Sequence, residues 1–451
     1  MDQIFKKFAR STPVAVMARA SLEYALEPEA LDGLFAGCAE RQYQKKLLFS
    51  TMVDLTALVV CGEHPSVRAA YLAMRAEVPA SLSAVYEKLA GVETRTVEAL
   101  VAYSADRLRP VVSAIGSEPW LKGFRVRILD GNHLAATERR LEVLRSCAAG
   151  PLPGQALVVL EPESGLAVQV VACEDGHAQE RSLLEPIIAA AEPSDLYIAD
   201  RNFCTLGFLG GMVGRHSYFA VRQHAHLPIK SAGRLRKRGR TATGTVCEQT
   251  ITVLVGGEEL RLRRVVIHLD TPTRDGDTEM AIITNLGVQD ASATVVADLY
   301  RRRWTIETFF GRVERNLQSE LSSLGYPGAA LFGFAVALVA TNVFAVVHAA
   351  MEAAKREKPE LAEMPLSDFA IVEEVRTVHR GMQVVLDEQV WQSFQVMPPA
   401  TLARRLLEWA SHVHWEKFRK AIARQKKPAP KRTRFKNTPH VSTARLLANA
   451  Q

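Results

Sequence analysis

Tyr300, Arg303 and Glu307 in YRRRWTIE place a phenol, a cation and an acid at intervals of three and four. On an α-helix they fall within about 60° of one another. Leu299, Ile306, Phe309, Phe310, Val313 and Leu317 gather on a separate arc, about 100° wide. One edge of this helix is thus built for a core and the neighbouring edge for chemistry. Two further acids share a placement: Asp130 ends the run FRVRIL and Asp200 ends LYIA, each where a strand is expected to leave a sheet. Carboxylates there cost desolvation free energy unless something neutralises them. Ligands of open α/β sheets collect at the carboxyl ends of strands, so the two acids can converge with Glu307. Hard oxygen donors suit Mg²⁺ or Mn²⁺. Two such ions about 4 Å apart activate a water or hydroxyl and stabilise the leaving oxygen of a phosphodiester. A lone strand-end Asp is ordinarily a turn residue, and Arg303 with Glu307 alone makes an ordinary i,i+4 ion pair. Three acids in this order, the last beside Tyr300 and Arg303, favour a site.

The elements that must position these residues can be read around them. Residues 1–118 carry apolar positions at spacings of three and four and predict helices. Within them SLSAVYEKLAGVETRTVEAL (81–100) has the outline of a helix-turn-helix turning at Gly91-Val92. Glu87 takes the place of the usual small residue, so a plain helical hairpin is expected. After Trp120 the pattern becomes strand (124–130), a hairpin (156–160 and 166–173), helix (179–191), strand (196–200), helix (206–213) and strand (218–222). That order predicts a mixed α/β sheet. Residues 225–285 read as a β-rich insertion with strands at 248–255, 260–269 and 281–285, opened by a basic loop at 230–240. The predicted division is a helical N-terminal DNA-binding domain (1–118), core (119–224), insertion (225–285), core again (286–351), and a helical C-terminal region ending in a basic tail (352–451).

Composition narrows the partners. The 451 residues are 48% hydrophobic and 23% charged, as in a folded globular chain of several domains. The net charge is only +7, yet ten Lys/Arg and no acid lie in 417–436, and six more, again without an acid, in 230–240. The rest of the chain is therefore net acidic, and the concentrated bases suggest a polyanion partner. Six scattered cysteines (Cys38, Cys61, Cys147, Cys173, Cys204, Cys247) show no zinc or disulfide spacing and fit reduced thiols. The first residues hold no sustained apolar run, so no signal peptide is expected. Residues 328–351 are nearly uncharged and long enough to span a bilayer. Their alanine content, with Thr341, Asn342 and His348, predicts a buried core helix and no membrane partner.

Asp130 in LDGNH, Asp200 in YIADRNF and Glu307 in YRRRWTIETFF together resemble the DDE transposases of bacterial insertion sequences, in particular the IS-four type, with its Tyr-x2-Arg-x3-Glu-x6-Lys signature. The resemblance covers roughly 84–350, and PHVSTARLL near the end of the chain is also similar. It implies an RNase H-like core with a β insertion between the second Asp and the Glu, and two divalent ions, Mg²⁺ or Mn²⁺, on Asp130, Asp200 and Glu307. It also implies cleavage of double-stranded DNA at transposon inverted repeats and joining of the freed 3′-hydroxyl to target DNA, by a homodimer assembled on DNA in the bacterial cytoplasm, on nucleoid or plasmid. Tyr300 and Arg303 would contact phosphates near the transposon end. Arg201, Lys230, Arg234, Arg236, Lys237, Arg238 and Arg240 are further candidate DNA contacts. The sequence departs from the signature at Glu314, where the lysine should stand; Arg315, about 100° further round the helix, is the nearest substitute cation. Residues 225–285 also contain no Phe, Tyr or Trp on which a flipped base would stack. Two alternatives share parts of this pattern: a transposase-derived DNA-binding protein without cleavage, and a nuclease without strand transfer.

Overall fold

The computed structural model describes residues 3–134, 141–145, 150–273, 276–321, 323–421 and 440–449. Cys147 and most of the C-terminal basic stretch, 422–436, lie outside the described residues. The chain opens with α1 (Gln3–Ser11), α2 (Pro13–Ala25), α3 (Pro28–Cys38), α4 (Phe49–Val60), α5 (Val67–Ala73), α6 (Leu82–Ala90) and α7 (Thr94–Ile115). Then follow β1 (Arg125–Leu134), α8 (Glu142–Arg145), β2 (Gly150–Leu152), β3 (Gly154–Glu161), β4 (Leu166–Cys173), α9 (Leu184–Ala190), β5 (Asp195–Ala199), α10 (Leu206–Gly214) and β6 (Tyr218–Arg222). The insertion supplies β7 (Ile229–Ala232), β8 (Arg236–Thr241), β9 (Gly244–Val255), β10 (Glu258–Leu269) and β11 (Glu279–Thr284). Next come α11 (Ala293–Arg301), α12 (Thr305–Asn316), α13 (Pro327–Arg356), α14 (Asp368–Val385), α15 (Gln389–Gln395) and α16 (Pro399–Ala410), and finally β12 (His440–Ser442) and α17 (Thr443–Asn449).

The described residues form one large mixed sheet in the order β4-β3-β1-β5-β6-β11-β10-β9-β7, with β8 also on β9. β1, β5 and β6 are parallel and every other pairing in it is antiparallel. A large mixed α/β sheet flanked by helices fits the expected RNase H-like core. The insertion is continuous with that sheet through β6–β11 pairing.

Side-chain alternation decides which layer each strand faces. Leu129, Leu157, Val159, Tyr197 and Ala199 pack with α9 and α10 on one face. Ile128, Val158 and Leu160 point the other way, into the core built by α1–α7 and α12–α16. Farther along that second face, Val126, Leu196, Ile198 and Ala220 pack against Val296, Leu299 and Tyr300 of α11. Helices from both ends of the chain share the large helical core: α2 packs on α13, α14 and α15, and α7 lies against α13, α16 and β4. The outlined 81–100 pair is α6 and α7 joined at Gly91, and Val97, Leu100, Val101, Ala105 and Leu108 bury α7 in this core.

By length and composition α13 could cross a membrane, but it runs through the middle of this core with Leu331, Phe332, Ala335, Leu338, Val346 and Val347 buried. Its one deeply buried amide explains itself. Asn342 donates to Ala167 O and Ser104 Oγ, both at 3.0 Å, and accepts from Ala167 N at 2.7 Å. Glu98 accepts from Ala172 N at 2.9 Å. The outer edge of β4 is thereby closed to further strand pairing.

Two local expectations are corrected. The basic loop of 230–240 is instead largely two edge strands, β7 and β8, paired to β9. Long charged side chains suit an edge, where they face water and deter strand addition. The expected basic tail falls largely outside the described residues; beyond it β12 pairs parallel to β2, and Arg445 reaches Asp175 at 2.7 Å. Finally, the signature helix is broken. A 3-10 turn, Arg302–Trp304, separates α11 from α12.

Candidate active site

Strand register brings the first two acids together. The parallel pairing of β1 and β5 runs from Arg125–Asp195 to Leu129–Ala199, so Asp130 and Asp200 are the next residues on adjacent strands. Strand neighbours lie about 4.8 Å apart. β1 does not stop at Asp130, as its apolar run suggested. It continues to Leu134 on its other partner, pairing Asp130 with Val158 of β3. Asp130 thus stands where β5 departs and the sheet opens. Asp200 does leave the sheet: it caps the 3-10 turn Arg201–Phe203, accepting from Asn202 N at 2.7 Å, with Phe203 buried beneath.

The same alternation brings in the third acid. Asp130 follows Ile128 by two residues and shares its face, the one covered by α12. Ile306, Phe309, Val313 and Leu317 bury one side of α12 in the helical core, while Leu299 and Tyr300 anchor α11 in the smaller one. The 3-10 turn therefore bridges two cores, fastened by Arg302 over the Trp120 ring at 4.1 Å. From this elbow Arg303 Nη1 reaches Asp130 Oδ2 at 3.2 Å and Nη2 reaches Glu307 Oε1 at 2.9 Å. Arg303 is 11% exposed and Glu307 50%, so the expected i,i+4 pair exists but is one arm of a longer bridge.

Electrostatics mark Asp130 as the costly residue. Burial pushes its pKa up to about 6, against the pull of Arg303 and of the Gly131 N–H, which donates at 3.0 Å; the charges of Asp200 and Glu180 push it further. Burial raises the Tyr300 phenol to about 12 despite Arg303 beside it. Tyr300 is 4% exposed, in the interior beside Arg303 and not at the surface. Burial opposes the charge on Arg303, but Tyr300, Asp130 and Glu307 more than offset it and hold its pKa up.

The donor set, carboxylate oxygens throughout, has the chemistry for a hard divalent cation. As arranged, no three His, Cys, Asp or Glu side chains among the described residues gather closely enough to enclose an ion. Arg303 lies between two of these acids, its guanidinium pairing with both Asp130 and Glu307. Its Nε is buried without a hydrogen-bond partner, so this pairing leaves the arginine incompletely satisfied.

The basic candidates divide. Lys230 pairs with Glu259, Arg238 with Glu248 and Arg240 with Asp270. Arg234, Arg236 and Lys237 are exposed on the edge, and Arg201 is exposed beside Asp200. Glu314 and Arg315 are exposed on α12; the Arg315 guanidinium folds back against Gly311, where a Cβ would lie 2.9 Å from it, toward the turn of Glu307. Two neighbours escaped the sequence reading. Trp304, next to Arg303, is 63% exposed. Glu180 accepts from Asn202 Nδ2 at 2.5 Å; it sits in a 3-10 turn before α9, with no strand-end signal to single it out.

Residues 124–342 match the family of the Transposase DDE domain. All three acids, Tyr300 and Arg303 fall inside this span. A probable transposase for insertion sequence element IS5377 of Geobacillus stearothermophilus is 28% identical over 123 residues, 27% of this chain and 30% of that protein. A putative transposase, y4zB, of Sinorhizobium fredii is 24% identical over 162 residues, 36% of this chain and 44% of that protein. The chain thus spans less than half the length of the curated relatives it matches. These findings support a DDE transposase.

Proposed function

We propose that the protein is an insertion-sequence transposase of the IS-four type that cuts DNA at transposon ends and joins the freed 3′-hydroxyl to target DNA. The observation that carries this reading is the bridge from Asp130 through Arg303 to Glu307, with Asp200 on the neighbouring parallel strand. Asp130, Asp200 and Glu307 would hold two Mg²⁺ or Mn²⁺ ions, which when bound activate the attacking hydroxyl and stabilise the leaving oxygen. Arg303 would exchange its carboxylates for a phosphate of the transposon end, offering a planar fork of donors for bidentate contact. Tyr300, buried beside Arg303, would help hold the arginine in place. Arg201, Arg234, Arg236, Lys237 and Arg315 would neutralise neighbouring phosphates, and joining two ends calls for a homodimer assembled on DNA. On this reading it would act in the bacterial cytoplasm on nucleoid or plasmid DNA.

Glu314 favours one competing reading, a protein that binds ends without cutting, because a carboxylate repels the phosphate a lysine would attract. A supercoiled plasmid carrying the matching inverted repeats, incubated with Mg²⁺, separates the readings. Excised and joined ends are expected. Binding without cleavage, or nicking without sequence preference, would overturn the proposal in favour of a binding protein or a simple nuclease.

A further inference from the structure

The row of residues that ends the parallel strands continues past Asp200. β5 and β6 pair from Leu196–Tyr218 to Ala199–Val221, so Arg222 stands level with Asp200 as Asp200 does with Asp130. Beside it opens a groove of about 600 Å³ whose walls include Arg201, His224 and His226. Two acids also line the groove, and both are already neutralised. Asp277 pairs with Arg222 at 2.6 Å and Glu279 with Arg264 at 3.2 Å. Arg201 is exposed and has no partner among the described residues, so its charge and the two imidazoles are left to meet a ligand.

One imidazole is set up as a donor. The backbone N–H of His226 donates to His224 Nδ1 at 3.2 Å, so Nδ1 carries the lone pair and the ring proton sits on Nε2. The His226 ring leans on the first, with centroids 5.4 Å apart. Among the described residues nothing accepts from His224 Nε2, although His224 is partly buried in the groove wall. A fixed N–H donor beside an uncompensated guanidinium suits an anionic oxygen. The anion that the neighbouring acids would act on is a phosphodiester. We infer that His224, through Nε2–H, binds with Arg201 a backbone phosphate of the DNA adjacent to the one at Asp130 and Asp200. This inference rests on the transposase reading above and adds to it a groove and a residue, His224, outside the DNA contacts named there.

The test is fluorescence anisotropy of the full chain in chelator, with a labelled inverted-repeat duplex and, separately, with a precleaved end plus a labelled target duplex. His224→Phe keeps a ring and removes the donor, so it should weaken binding to at least one of the two duplexes about tenfold. His224→Gln, whose amide nitrogen can stand near the place of Nε2, should stay within about threefold of wild type. Loss on the inverted repeat assigns the phosphate to the transposon end, and loss on the target duplex alone assigns it to target DNA. In a scan of single methylphosphonates, one position should weaken wild type about tenfold and His224→Phe no further. His224→Phe within about twofold of wild type on both duplexes overturns the inference. So does an equal loss in His224→Gln, or a scan in which no position distinguishes the two proteins. His224→Asn, whose side chain ends short of the Nε2 position, decides by the same criterion if His224→Phe does not fold. Wild type that binds neither duplex refutes the transposase reading itself; wild type that binds and cuts its ends, matched by His224→Phe, refutes only the groove.

Discussion

Replacing Asp130 with asparagine should make the metal-free protein more stable while removing its chemistry. The carboxyl titrates near 3.8 without the fold and is pushed up to about 6 within it. Below the lower value both states are protonated and the group costs nothing. As pH rises from there toward 6 the unfolded chain ionises while the folded carboxyl, disfavoured as a charge by burial, does not, so stability falls until both states are ionised above 6. A gap of about two units at about 1.4 kcal/mol each gives about 3 kcal/mol lost by pH 8, and roughly half of that by pH 5. Asparagine avoids this cost and can still accept from the Gly131 N–H, but it turns an amide toward Arg303 in place of a charge partner, which subtracts about 1 kcal/mol. The net expectation is a gain of about 2 kcal/mol at pH 8, a rise of a few degrees in Tm, shrinking toward zero at pH 5. Scanning calorimetry of wild type and Asp130→Asn in chelator at the two pH values measures it. A variant no more stable than wild type at pH 8, or equally stabilised at both, would refute the buried-acid reasoning.

Asn342→Leu should act on stability alone, because it strands Ala167 N, Ala167 O and Ser104 Oγ in the core. A loss of about 3 kcal/mol or more is expected in urea unfolding, and a loss under 1 kcal/mol would contradict it. Replacing Arg234, Arg236 and Lys237 together by Ala should make the salt dependence of DNA binding shallower, by up to about 0.9 per lost phosphate contact. The same change at Lys230, Arg238 and Arg240, already paired with acids, should do less; equal effects would remove the distinction. Trp304→Ala should leave Tm within about a degree but weaken binding to an end bearing an unpaired base by about tenfold, read by fluorescence anisotropy. Unchanged binding would show that the exposed ring stacks on nothing.

Much of the site was legible because it follows from period. An apolar run ending in an acid sets strand direction and face, and register does the rest for Asp130 and Asp200. The helix arc of Ile306, Phe309, Val313 and Leu317 likewise predicted which side of α12 is buried. What escaped depends on partners far away in sequence. β1 passes beyond Asp130 because β3 is there to pair with it. The turn at Arg302–Trp304 follows from two separate cores pulling on α11 and α12, and it carries Tyr300 into the interior. Arginines and lysines gave no strand signal in 229–241, since β9 supplies the pairing. Glu180 is visible only once Asn202 is in place beside it.

The central claim is that Asp130, Asp200 and Glu307 form the cleavage centre, apart from the surfaces that grip DNA. The direct measurement is strand cleavage at a labelled transposon end by Asp130→Ala, Asp200→Ala and Glu307→Ala in Mg²⁺, with DNA binding read in the same samples. Each variant should bind within a fewfold of wild type and cleave nothing. Full cleavage by any one of them would contradict the account.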